Sequence, residues 1–117
     1  MIDPLLLGDL IDGGWKKLDF QPFHPGVTIH PLYGSGDGPA AAILRYEENA
    51  RVPYHEHTGF EHVLILDGSQ SDERGRYDKG SLTINPPGTS HDVWSDEGCV
   101  ALLIWERPVR IIASGPL

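Results

Sequence analysis

The sequence predicts an all-β fold, a small barrel or sandwich of antiparallel strands. Three observations carry that expectation. Fourteen glycines and ten prolines in 117 residues suit a chain with many turns and work against a helical bundle. The apolar residues fall in short runs rich in β-branched and aromatic side chains. Turn signals separate those runs about every eight to twelve residues.

Taken in order, residues 2–12 follow Pro4 with Leu6, Leu7 and Leu10 on one side. They predict a short helix, ended by Gly13-Gly14, that needs a surface to pack on. Residues 15–23 (WKKLDFQPF) form the expected first strand and 27–33 (VTIHPLY) the second, with Pro22 and Pro31 marking both as edge strands. GSGDGP at 34–39 is a turn by composition. Residues 40–47 make a third strand, and Glu48-Asn49-Ala50 turns the chain.

The stretch 51–69, RVPYHEHTGFEHVLILDGS, divides at Thr58-Gly59 into a histidine-bearing strand and a second strand over 60–66. Asp67-Gly68 is a hairpin signal. The polar segment SQSDERGRYDKG turns at 73–75, and its acidic run Ser71 to Glu73 reads as a solvated loop. Further strands are expected over 81–85, 91–95, 99–106 and 109–113, with Pro86-Pro87-Gly88 as a rigid turn. No repeat or low-complexity linker interrupts the chain, so residues 1–117 read as one domain with 1–14 as an N-terminal segment.

Composition bounds the partners. Seventeen acidic against nine basic residues give a formal net charge of −8, which argues against nucleic acid and anionic lipid. No run approaches membrane-spanning length and the N-terminus lacks the basic start of a signal peptide, so a cytoplasmic protein is expected. The single cysteine, Cys99, excludes an internal disulfide. It lies in CVALLIW, where a buried, inert thiol is expected. That run is apolar at odd and even positions alike, so both faces of its strand need cover. Either the N-terminal segment or a second copy must supply it, and a homodimer is the economical expectation.

The chemistry concentrates in residues 51–69. His55 and His57 share one face of a strand, and Glu61 follows four residues later. Two imidazoles and a carboxylate are metal donors in need of a further one, and His91 in NPPGTSHDVW offers it. Imidazole and carboxylate suit Zn, Fe, Mn, Ni or Cu better than Ca or Mg. The other histidines, His24, His30 and His62, read as packed or surface residues, His62 facing away from Glu61. Arg51 has the strand parity to reach a pocket, although a solvated edge position suits it better. Tyr46, Tyr77 and Trp94 can line a cavity or fill the core. Ser90-His91-Asp92 lacks a nucleophile elbow, which speaks against hydrolase chemistry.

The spacing His55-x-His57-x3-Glu61-x6-Gly68, within residues 49–68, resembles the first cupin motif. Gly80-x5-Pro86-x-Gly88-x2-His91, within 80–95, resembles the second, after an eleven-residue gap. Two positions depart: Asn49 stands for the usual glycine before the first histidine, and Ser95 for the usual closing asparagine. The stretch H-x-H-x-G-x-E, the LxGSxSDExGxY pattern over 66–77 and Gly98-Cys99 are further similar to the ChrR-like branch of cupins.

The resemblance implies a jelly-roll β-barrel of two antiparallel sheets with a short N-terminal helical or irregular segment. It implies a divalent transition metal, Zn or Fe foremost and Mn or Ni next, held by His55, His57, Glu61 and His91, with Glu61 as a candidate catalytic base. The branch includes the sensor domain of a zinc-dependent anti-sigma factor and, more distantly, an iron dioxygenase that cleaves diketones. No HxxxCxxC motif precedes the barrel, so sigma-factor inhibition does not carry over. Three functions stay open: a dioxygenase-like oxidoreductase acting on a small molecule in the barrel, a zinc sensor or structural module, and a metal-dependent isomerase or decarboxylase.

Overall fold

The computed structural model describes residues 2–34 and 36–112. The described residues form ten strands: β1 (Gln21–His24), β2 (Val27–Tyr33), β3 (Ala40–Tyr46), β4 (Ala50–Glu56), β5 (Glu61–Asp72), β6 (Gly75–Asp78), β7 (Leu82–Asn85), β8 (Ser90–Ser95), β9 (Cys99–Trp105) and β10 (Arg110–Ile111). Every ladder is antiparallel. Two faces of a curled barrel result. One runs β1-β2-β3-β9-β5 with β7 beyond β5; the other runs β5-β8-β4-β10 with β6 also on β5.

β5 belongs to both faces. Its first half pairs with β9 and β7, and its last four residues pair with β6. A bulge between Ile65 and Asp67 bends it, and Gly68 follows at φ 71°. A Cβ there would sit 2.1 Å from the Gly98 carbonyl oxygen, so glycine answers both a left-handed backbone and a close approach. The expected hairpin at Asp67-Gly68 is therefore a bend inside one strand. The reversal comes after Asp72, where Glu73 and Arg74 lead into β6.

The inner faces of both sheets pack Val27, Leu44, Val52, Val63, Ile65, Val93, Ala101 and Leu103 into the core. A second cluster lies outside the first sheet. There Trp15 covers Ile43, Leu66 and Val100, with Leu7, Leu10, Leu18 and Phe20 packed alongside. β9 is thus covered on both faces, as its composition demands. Cys99, Ala101 and Leu103 point inward, and the N-terminal segment shields Val100 and Leu102 outside. Only the far end is open, with Ile104 40 % exposed.

The N-terminal segment reaches that position without the expected helix. Asp9 adopts φ 55° and Gly13 φ 93°, left-handed conformations that break a regular helix. Two short 3-10 turns, Leu10–Asp12 and Gly14–Lys17, form instead, and Leu6 is left 92 % exposed. Trp15 sits in the second turn, so the first strand begins at Gln21 and not at residue 15. Pro22 does occupy the edge strand. Pro31 lies in β2, which is not an edge strand: the residue pairs with Ala42 of β3, beyond Ile29, the last residue of β2 that β1 reaches. Ser35 of the GSGDGP turn and Ala113 of the expected last strand lie outside the described residues.

Candidate metal centre

Three adjacent strands bring the donors together. β4 and β8 pair with His55 directly opposite His91, Glu61 opens β5, and His57 follows the last residue of β4. One donor atom from each of the four lies within 4.8 Å of all the others. All four side chains are buried. A register shift in β4 between Val52 and His55 reverses strand parity along the way. Arg51 is consequently solvent-facing, stacked at 5.3 Å on the Trp94 ring and 4.0 Å from the Asp92 carboxylate. It does not reach the site.

Each histidine is held by its Nδ1. His55 Nδ1–H donates to the Pro53 carbonyl at 2.8 Å, and His57 Nδ1–H donates to the Thr89 carbonyl and hydroxyl oxygens, both at 3.0 Å. His91 Nδ1–H donates to Asp72 Oδ2 at 3.0 Å. Carbonyls and carboxylates only accept, so Nδ1 carries the hydrogen and Nε2 presents a lone pair. This is the outer support that metal-binding imidazoles require. The Pro86-Pro87-Gly88 turn does more than aim His91. Gly88 N–H donates to the His57 carbonyl and His57 N–H to that of Thr89, each at 2.8 Å, so the second motif clamps a histidine of the first.

The arrangement fits a cation. His55 Nε2 and His91 Nε2 face each other at 3.1 Å, two lone pairs that repel unless a positive charge lies between them. His57 Nε2 is buried with no hydrogen-bond partner and faces Glu61 Oε1 at 3.1 Å; a lone pair and a carboxylate oxygen this close also call for a positive charge between them. Glu61 is fixed from behind. Trp105 Nε1–H donates to Oε2 at 2.6 Å and Asn85 Nδ2 donates to Oε1 at 3.1 Å. Burial would raise the Glu61 pKa, but the contact with His57 and positive charge on the three histidines outweigh it and hold the carboxyl below its ordinary range. Burial lowers the His55 pKa, which keeps that imidazole neutral and able to ligate.

Several supporting residues escaped the sequence reading. Asp72 is buried, not part of a solvated loop. Besides His91, it accepts hydrogen bonds from Tyr77 OH and the Arg74 backbone N–H, each at 2.8 Å. Its signal was the SDExGxY pattern, which had no chemistry attached to it. The two motif departures are benign. Asn49 takes φ 66°, a conformation asparagine tolerates better than most residues. Ser95 is fully buried and donates from Oγ to the Ser69 carbonyl at 2.6 Å. Cys99 is buried and its thiol is pushed up to about 12, chiefly by burial.

Beside the donors lies a cavity of about 50 Å³ whose walls include His55, Glu61 and His91. His24, read as a packed or surface residue, also lines it, as do Tyr46 and Trp105. Tyr77 and Trp94 do not. Two larger grooves of about 570 Å³ lie on the outer surface and are lined by none of the four donors.

A curled jelly-roll barrel with a buried cluster of three histidines and a glutamate defines the cupin class. The sequence profile of the ChrR cupin-like domain matches residues 13–109, and the chain belongs to that family. The anti-sigma-E factor ChrR of Cereibacter sphaeroides is 27 % identical over 109 residues, which cover 92 % of this chain and 51 % of that protein. The chain therefore spans about half the length of that curated relative. A crystal structure of Rhodobacter sphaeroides SigE in complex with the anti-sigma ChrR is similar with a TM-score of 0.73 and 25 % identity, covering 87 % of this chain and 57 % of that one. An acetylacetone dioxygenase from Acinetobacter johnsonii shares the fold with a TM-score of 0.76 at 15 % identity, covering all of this chain and 83 % of that one.

Proposed function

We propose that this cupin domain binds one divalent transition metal through His55, His57, Glu61 and His91 and uses it in dioxygenase-like oxidation of a small molecule. Zn and Fe are the foremost candidates, and the oxidative reading requires Fe or another redox-active ion; Mn and Ni also suit the donors. The observation that carries the reading is the convergence of four buried donors, each histidine anchored at Nδ1, beside a cavity that reaches them. Such an ion polarises a bound oxygen atom and, if redox-active, exchanges single electrons. The protein's part is to hold three neutral imidazoles in place, to keep water scarce with apolar walls, and to offer Glu61 as ligand or proton acceptor. Oxygen uptake by iron-loaded protein on presentation of small carbonyl compounds tests it. Uptake equal to that of free iron contradicts it.

A second reading is a zinc-holding sensor or structural module. The likeness to ChrR, an anti-sigma factor seen in complex with SigE, favours it. Bound zinc with all positions filled by protein supports the sensor; iron with a replaceable ligand supports the oxidoreductase. Substrate turnover without oxygen uptake points instead to an isomerase or decarboxylase. We further propose a cytoplasmic single-domain protein that pairs with a second copy through the open end of the outer sheet face, where Phe60, Leu82, Ile84 and Ile104 are exposed.

A further inference from the structure

We propose that Tyr46 and Gln70 form the recognition end of a ligand subsite for a small monocarboxylate, one of whose oxygens takes an open position on the metal. The proposal rests on metal binding by the four donors above. Both residues line the cavity that His55, Glu61 and His91 border, and both are 5 % exposed. Tyr46 ends β3 and Gln70 lies in the half of β5 beyond the Gly68 bend. The two barrel faces thus each contribute one polar group to the same space.

Two buried polar side chains are costly unless their hydrogen-bonding capacity is used. A carboxamide and a phenol together offer three hydrogens to donate to a ligand. The anchors of the metal-facing groups lie elsewhere: Glu61 is held by Asn85 and Trp105, and His91 by Asp72. Neither Tyr46 nor Gln70 is needed for that task. Both can donate, and an acceptor suits them.

Charge and size narrow the class further. Three neutral imidazoles and one carboxylate leave a divalent ion with a net charge of about +1, which a monoanion neutralises. A cavity of about 50 Å³ is far below the roughly 300–1,000 Å³ of sites for drug-sized ligands. Phe23, Val63, Val93, Leu103 and Val109 supply apolar wall, with His24 and Trp105 beside them. A carboxylate with a very short alkyl group meets all three conditions.

The test uses the full chain loaded with Co(II), whose visible spectrum reports ligand exchange at the ion. Formate and acetate should shift that spectrum saturably, and butyrate should not. Tyr46→Phe and Gln70→Leu should keep cobalt stoichiometry and each weaken acetate binding about tenfold, as loss of a hydrogen bond to a charged group does. Butyrate binding as tightly as formate overturns the subsite on the unaltered protein alone. So does acetate affinity unchanged in both variants, or the absence of any spectral response to carboxylates on a cobalt-loaded chain. Failure to bind cobalt at all overturns the metal reading itself and the subsite with it.

Discussion

His91 is held in the candidate metal centre by Asp72, whose Oδ2 accepts the Nδ1 hydrogen at 3.0 Å with both side chains buried. The carboxylate makes the imidazole a stronger donor at Nε2 and fixes its plane. Asp72→Asn should weaken metal affinity about 10–100-fold without unfolding the barrel, measured by competition with a chromophoric chelator. Unchanged affinity would show that His91 needs no support from this residue.

Gly68 is the second point of leverage, since the bend of β5 lets one strand serve both faces. Gly68→Ala places a side chain in a left-handed conformation and against the Gly98 carbonyl. It should lower stability by about 1–3 kcal/mol or more, read from denaturant midpoints. Asn49→Gly, at a position that already tolerates φ 66°, should change stability little. Equal effects of the two substitutions would contradict the account of the bend.

The acid response of metal-free protein follows from the depressed pKa values. Burial lowers the His55 pKa in the folded chain, so the unfolded chain takes up this proton first as pH falls below about 6.5. Asp72 is also depressed: burial raises its pKa, but the His91, Tyr77 and Arg74 contacts outweigh that. Its contribution is present above the unfolded value of about 3.9 and lost as pH falls through the lower folded value. Thermal unfolding of chelator-treated protein should therefore occur at falling temperature from about pH 6.5 downward, with a further loss below about pH 4. A flat profile from neutrality to pH 5 would contradict the assignment for His55.

At the open end of the outer sheet face, Ile104 and Ile84 are 40 % and 52 % exposed. Light scattering should give twice the mass of one chain, and Ile104→Glu should give a monomer. A monomer before substitution would contradict pairing through this face.

Much of this was legible because side-chain period and motif spacing are local properties. Alternation placed most strands from β2 onward, but it missed β6 and ended β5 at residue 66, and two independent motif spacings grouped His55, His57, Glu61 and His91. What stayed hidden depended on backbone conformation at single residues. Left-handed Asp9 and Gly13 replaced a helix by two tight turns, and the bulge before His55 broke the strand parity that Arg51 was expected to share with it. Asp67-Gly68 has the chemistry of a hairpin, yet the same positive φ serves a bend where β5 leaves β9 at the Gly68–Cys99 pair and goes on to pair with β6. The supports of the donors, Asp72, Asn85 and Thr89, came from other strands and loops, and linear spacing carries no signal for contacts across a barrel.

Metal content per chain tests the central claim most directly. Protein purified without added metal, or metal-free protein titrated with Zn(II) or Fe(II), should hold about one ion per chain, and folded His57→Ala should hold almost none. A chain that takes up no ion under either condition, or a His57→Ala variant with undiminished content, would contradict it.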